Sequence, residues 1–200
     1  MERARTDVFY SYDQRDYFDK LSDYRFDRDG AYQTVGLTQY FNLLRADQVW
    51  PGYYQGTTPR DGHDYQRWLR LWLGYRYRDE STVGDEFDLF GQSVPFGVEI
   101  PLPYRLSFDF TTELSWDNYW QPSLLDFSRK ERLDFVQQYG VGLTRTLVDR
   151  GELRSLPTLQ VLLRGGIDVT IQDSNVWDRL HEDVYSYDRA IYSVKLMVNF

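Results

Sequence analysis

The feature that most constrains this chain is a two-residue period of apolar side chains that recurs along nearly its whole length. Successive side chains of a strand point to opposite faces, so such a period specifies strands with one apolar face. In the last segment Ala190, Tyr192, Val194, Leu196, Val198 and Phe200 share one face, and Ser193, Lys195, Met197 and Asn199 the other. From Leu159 to Ile171, Leu159, Val161, Leu163, Gly165, Ile167, Val169 and Ile171 alternate with Gln160, Arg164, Gly166, Asp168 and Thr170. Leu106, Phe108, Phe110, Thr112, Leu114 and Trp116 alternate with Ser107, Asp109, Thr111, Glu113 and Ser115. Leu69, Leu71, Leu73, Tyr75 and Tyr77 do so with Arg70, Trp72, Gly74, Arg76 and Arg78. Four shorter or interrupted segments surround Phe90–Ile100, Leu133–Leu143, Val35–Leu43 and Val8–Tyr12, with Gln39, Gln92 and Gln137 each breaking an apolar face once.

These segments predict about eight antiparallel strands of about 9 to 11 residues, the length of a tilted membrane crossing, and an even count suits a bacterial up-and-down barrel. The expected fold is therefore an all-β, antiparallel up-and-down transmembrane β-barrel, with residues 1–200 as a single domain that is either whole or the carboxy-terminal part of a larger barrel. Alternation alone does not separate a lipid-facing exterior from the inner faces of a soluble sandwich or lipocalin-like barrel. Charge on the opposite face and alternating loop lengths favour the membrane.

Barrels of this kind have short periplasmic turns and longer extracellular loops. With Phe200 periplasmic, residues 172–184, 117–131, 79–86 and 19–30 fall outside the cell, and 148–156 and 101–104 in the periplasm. The connection 45–63, also periplasmic, is too long for a turn and reads as an insertion. Tyr77, Trp116, Tyr119, Trp120, Tyr139, Trp177 and Tyr187 lie near strand ends, where aromatic girdles form. The acidic clusters Asp19–Asp29, Asp79–Asp88 and Asp173–Asp183 suit solvated loops, and none has the spacing of a calcium loop.

Composition agrees. Mean hydropathy is −0.61 with 27% charged residues, yet 18% of residues are aromatic, too many for a disordered chain. No apolar run reaches the roughly 18 residues of a spanning helix, whereas a barrel needs only alternate residues apolar. Absent cysteine removes thiol chemistry, and a net charge of −8 argues against nucleic acid as a partner. The start lacks the apolar core of a secretory signal, which for an exported barrel implies a mature segment or a fragment.

Charges on the non-apolar faces are the candidate site: Arg70, Arg76, Arg164 and Lys195 against Glu99, Asp109, Glu113, Asp134 and Asp168. An eight-stranded interior is filled by side chains, so these are expected to pair as a polar plug; lining a water-filled passage would need more strands. Catalytic, cofactor and metal sites are not expected. The two histidines, His63 and His181, lie on opposite sides of the topology, and only His181, beside Asp178, Glu182 and Asp183, suggests an outer-face hydrolase. Serines 174, 186 and 193 lack a nucleophile elbow, and Gly140-Val141-Gly142 and Gly165-Gly166 lie within alternating strands rather than phosphate loops.

The final strand, with Tyr192, Val194, Leu196 and Val198 before Phe200, resembles the carboxy-terminal assembly signal of outer-membrane proteins. Val35-Gly36-Leu37-Thr38-Gln39-Tyr40-Phe41, Leu73-Gly74-Tyr75-Arg76-Tyr77, Val98-Glu99-Ile100-Pro101-Leu102-Pro103, Asp173-Ser174-Asn175-Val176 and Tyr187-Asp188-Arg189 are similar to bacterial outer-membrane barrels that commonly follow periplasmic tetratricopeptide repeats. The resemblance implies an integral, non-enzymatic barrel in contact with outer-membrane lipid. It also implies recognition by the barrel-assembly machinery through the last strand and a periplasmic partner or repeat domain. An export channel for a cell-surface product is the alternative. Such relatives tend to have more strands, and the first strand, which must meet the last to close a ring of eight, has the sparsest alternation.

Overall fold

In a computed structural model, residues 3–16, 28–54, 67–122, 131–148, 159–176 and 185–199 are described. They form eight strands: β1 Ala4–Arg15, β2 Gly30–Arg45, β3 Trp68–Thr82, β4 Leu89–Leu102, β5 Leu106–Pro122, β6 Glu131–Val148, β7 Gln160–Ser174 and β8 Tyr187–Asn199. Every sequential pair is antiparallel, in one sheet of order β1 to β8. The all-β, up-and-down arrangement expected from the period is therefore present. Its ends are not joined: β1 and β8 are the two edges of the sheet.

The strands run 12 to 18 residues rather than about 9 to 11. Backbone pairing does not end where apolarity ends, so β3 continues through Asp79, Glu80 and Ser81, and β5 through Asn118 and Trp120. Much of the segments 79–86 and 117–131, read as loops, is thus strand. Between β3 and β4 only residues 83–88 remain, with one 3-10 turn at Asp85–Phe87.

Register carries the alternation across the sheet. Phe9, Gly36, Arg76, Ser93, Ser115, Val136, Gln172 and Tyr187 lie opposite one another in turn, all on one face. That face is concave and polar: Thr38, Ser93, Ser107, Asp117, Arg132, Asp134 and Thr170 on it are buried. Large apolar side chains line the convex face and stay exposed, among them Val8 (71%), Leu73, Tyr192 (76%) and Val194 (81%). The sheet is inverted relative to one that covers a water-excluding core.

The connection β4–β5 is the tightest. Leu106 N–H donates to the Pro103 carbonyl, and Tyr104 and Arg105 between them have φ of 61° and 59°. Two left-handed residues make a turn whose twist matches a hairpin, at a steric cost that glycine would avoid. The long connection after β2 supports this turn. It begins as two four-residue helices, α1 Ala46–Val49 and α2 Pro51–Tyr54. Trp50 Nε1 donates to the Pro101 carbonyl at 2.7 Å, the Tyr104 N–H donates to the Tyr53 hydroxyl, and the two tyrosine rings meet edge to face. In its described part the insertion is therefore a buttress at the tight-turn end. The rest of 45–63, including Asp61 and His63, lies outside the described residues.

Candidate functional site on the concave face

The polar face is organised by arginines that reach over small residues to carboxylates two strands away. Arg78 Nη2 donates to Asp117 Oδ2 at 2.8 Å across Gly91, where a Cβ would meet the Asp117 carboxylate. Arg164 Nη2 reaches Asp109 Oδ2 at 2.5 Å across Gly142, where a Cβ would meet both partners. Arg76 Nη1 bonds Glu113 Oε2 at 2.9 Å beside Ser93, whose hydroxyl donates to Glu113 Oε1. Concave glycines within the strands thus leave room for bridges that larger residues would block.

Four of the nine charges singled out by alternation meet in one row. Glu99 and Asp109 face each other across β4 and β5, a repulsive placement that Arg70 on one side and Arg164 on the other neutralise. Arg70 also donates from Nε to Asn42 Oδ1. With Arg76 and Glu113, six of the nine are in such bridges. Asp168 and Lys195 make no ion pair among the described residues. Asp168 lines a cavity of about 330 Å³ with Arg76, Glu113, Gln138, Thr111 and Arg189. Lys195 stands opposite Arg164 on the edge strand.

Asp134, the ninth, belongs to a denser cluster at the long-loop end that alternation did not single out. Arg132 donates from Nε and Nη2 to the Asp134 carboxylate, and its guanidinium lies 4.1 Å from the Tyr119 ring centre and 3.5 Å from that of Tyr185. Gln172 Nε2 donates to Asp134 Oδ2, and the Tyr185 hydroxyl donates to Glu86 Oε1. Arg132 and Asp134 are 4% and 3% exposed. This buried, aromatic-flanked pair joins the approach to β8 to the β3–β4 connection. The arrangement holds a charge pair away from water at the border of a cavity of about 560 Å³ that Arg132, Tyr119 and Tyr185 help to line.

Two of the residues expected in outward girdles belong here instead. Tyr119 and Tyr187 point to the concave face, because each lies an odd number of residues from its strand's convex positions. That parity was present in the sequence once β5 is extended past Trp116. Tyr77, Trp116, Trp120 and Tyr139 do face outward, with Trp116 against Phe135 and Phe90 against Trp120. Trp177, His181, Asp178, Glu182, Asp183 and Phe200 lie outside the described residues. On β8, Tyr192, Val194, Leu196 and Val198 share the convex face.

Among the described residues no group of three His, Asp or Glu side chains is placed to hold a metal ion. No protein-family model, curated protein or solved structure matches the chain. What the site does is therefore argued from its own chemistry.

Proposed function

We propose that this chain is a non-enzymatic integral β-barrel of the bacterial outer membrane, which anchors or assists a periplasmic partner or an upstream repeat domain. The observation that supports this reading is the inversion of the sheet, with a buried arginine, carboxylates and hydroxyls on the concave side and a continuous band of exposed Leu, Val, Tyr and Trp on the convex side. A band of that extent marks a membrane or protein contact, and hydrocarbon is the solvent that an alternating sheet matches on one face only. The tight-turn end, with α1 and α2 beside it, is then periplasmic. The cluster around Arg132 lies at the outer end.

The arginine–carboxylate bridges that cross the concave face favour a plug over the alternative, an export channel for a cell-surface product. An outer-face hydrolase built on His181 is the second alternative, and His181 lies outside the described residues. The test is fractionation followed by electrophoresis without boiling. An inserted barrel resists carbonate extraction and migrates faster before heating than after it. Release by carbonate with one mobility would overturn the reading.

A further inference from the structure

We infer that the two free edges of the sheet pair with each other, β1 on β8, with a stagger of about 8 to 12 residues. The inference rests on the membrane reading above, because unpaired N–H and C=O groups along two edges are not tolerated in hydrocarbon. Four observations carry it.

An even number of strands makes β1 and β8 antiparallel to each other, as a closing hairpin-like pair requires. The edges also approach. Arg15, at the end of β1, lines one cavity of about 560 Å³ together with Ser186 and Tyr187 at the start of β8. Eight strands curled to this degree bring the first and last to one space.

The approach is staggered. Followed straight across the ladders, Phe9 corresponds to Tyr187, yet the residue that shares a cavity with Tyr187 is Arg15, six positions further along β1. Strands tilted by 35–45°, spaced and rising as strands do, return to their starting point displaced by about 8 to 12 residues in a ring of eight. The observed displacement is in one direction and close to that range.

Charge weighs against a second copy. The concave side of β8 carries Arg189 and Lys195 with no acid, and that of β1 carries Asp7 and Asp13, paired along their own strand with Arg5 and Arg15. A second copy pairing β8 on β8 would set cations against cations, whereas β1 presents β8 with a strand whose charges balance. Both edges also bring their most exposed apolar residues, Val8, Tyr192 and Val194, to the same convex band.

The chain has no cysteine, so paired cysteines report the contact cleanly. Ser11→Cys is combined in turn with Ser193→Cys, Lys195→Cys and Met197→Cys, which correspond to staggers of about 8, 10 and 12 residues. Each full-length variant is inserted into phosphatidylcholine vesicles, oxidised, and read in the heat-modifiable band. One of the three is expected to form an intramolecular disulfide in most of the molecules, and its neighbours far less. Disulfide-linked dimers would overturn the inference in favour of a second copy. No cross-link in any inserted variant would overturn it in favour of other strands covering both edges. In that last case wild-type insertion is intact and the membrane reading stands, whereas carbonate release of the wild type marks failure of the membrane reading itself.

Discussion

At the long-loop end of the concave face Arg132 lies between two tyrosine rings and is paired with the buried Asp134, while half-way down the same face Arg76 and Arg164 bridge to Glu113 and Asp109 with their guanidinium groups partly exposed. Both regions use arginine and carboxylate on the concave face, within one strand at Arg132 and Asp134 and two strands apart in the middle. They differ in what surrounds them. A pair removed from water depends on its partner for nearly all its solvation, whereas a half-exposed pair exchanges one polar contact for another. The same alternation therefore builds a buried pair at one end and an adaptable lining in the middle.

The largest expected effect breaks the buried pair. Arg132→Ala leaves Asp134 and the Glu86–Tyr185 contact beside an empty space, and should lower stability by about 3–5 kcal/mol, read as an earlier loss of the heat-modifiable band in urea. Loss comparable to Arg76→Ala would erase the distinction between the two regions.

The next probes the convex band. Leu73→Arg sets a charge mid-way along β3 on the exposed apolar face, and costs about 2–4 kcal/mol in a bilayer. In vesicles it should reduce the folded fraction. Thr111→Arg, on the concave side at a similar depth, should do so much less.

Space rather than charge is tested by Gly97→Val. A Cβ there would meet the Trp72 ring and the Phe110 carbonyl, so overpacking of about 1–3 kcal/mol is expected. At Gly140 the atoms met are the ends of the Thr111 and Asp168 side chains, which can turn aside. Gly140→Ala should therefore cost less in the same urea titration.

The smallest effect belongs to the middle region. Arg164→Gln removes a part-exposed bridge to Asp109 and should cost about 1 kcal/mol or less. A cost as large as that of Arg132→Ala would show the middle to be buried as well.

Much of this fold was legible in the chain. The eight strands, the face of each alternating residue and the tight turn beside Pro101 follow from side-chain parity, a local property of the pleat. Six of the nine interior charges were legible as partners because alternation put opposite signs on one face of strands one or two apart. Other features were hidden for definite reasons. Strand ends were drawn where apolarity stops, so Glu80, Asp117 and Tyr119 were read as loop or girdle, although the backbone ladder runs through them. Arg132 escaped notice because it precedes the first apolar residue of its strand, Leu133. The role of the 46–54 segment as a buttress depends on a contact with Pro101 and Tyr104, some fifty residues away, that no local pattern encodes.

The sequence by itself determined which side of the sheet is polar and how many strands there are, because both depend on neighbours one or two residues apart. Tertiary structure decided which arginine meets which carboxylate, that the pair at one end is buried and the bridges in the middle are not, and how near β1 comes to β8. Those depend on curvature and stagger accumulated over seven ladders, where a glycine opposite an arginine matters more than either residue's own preference.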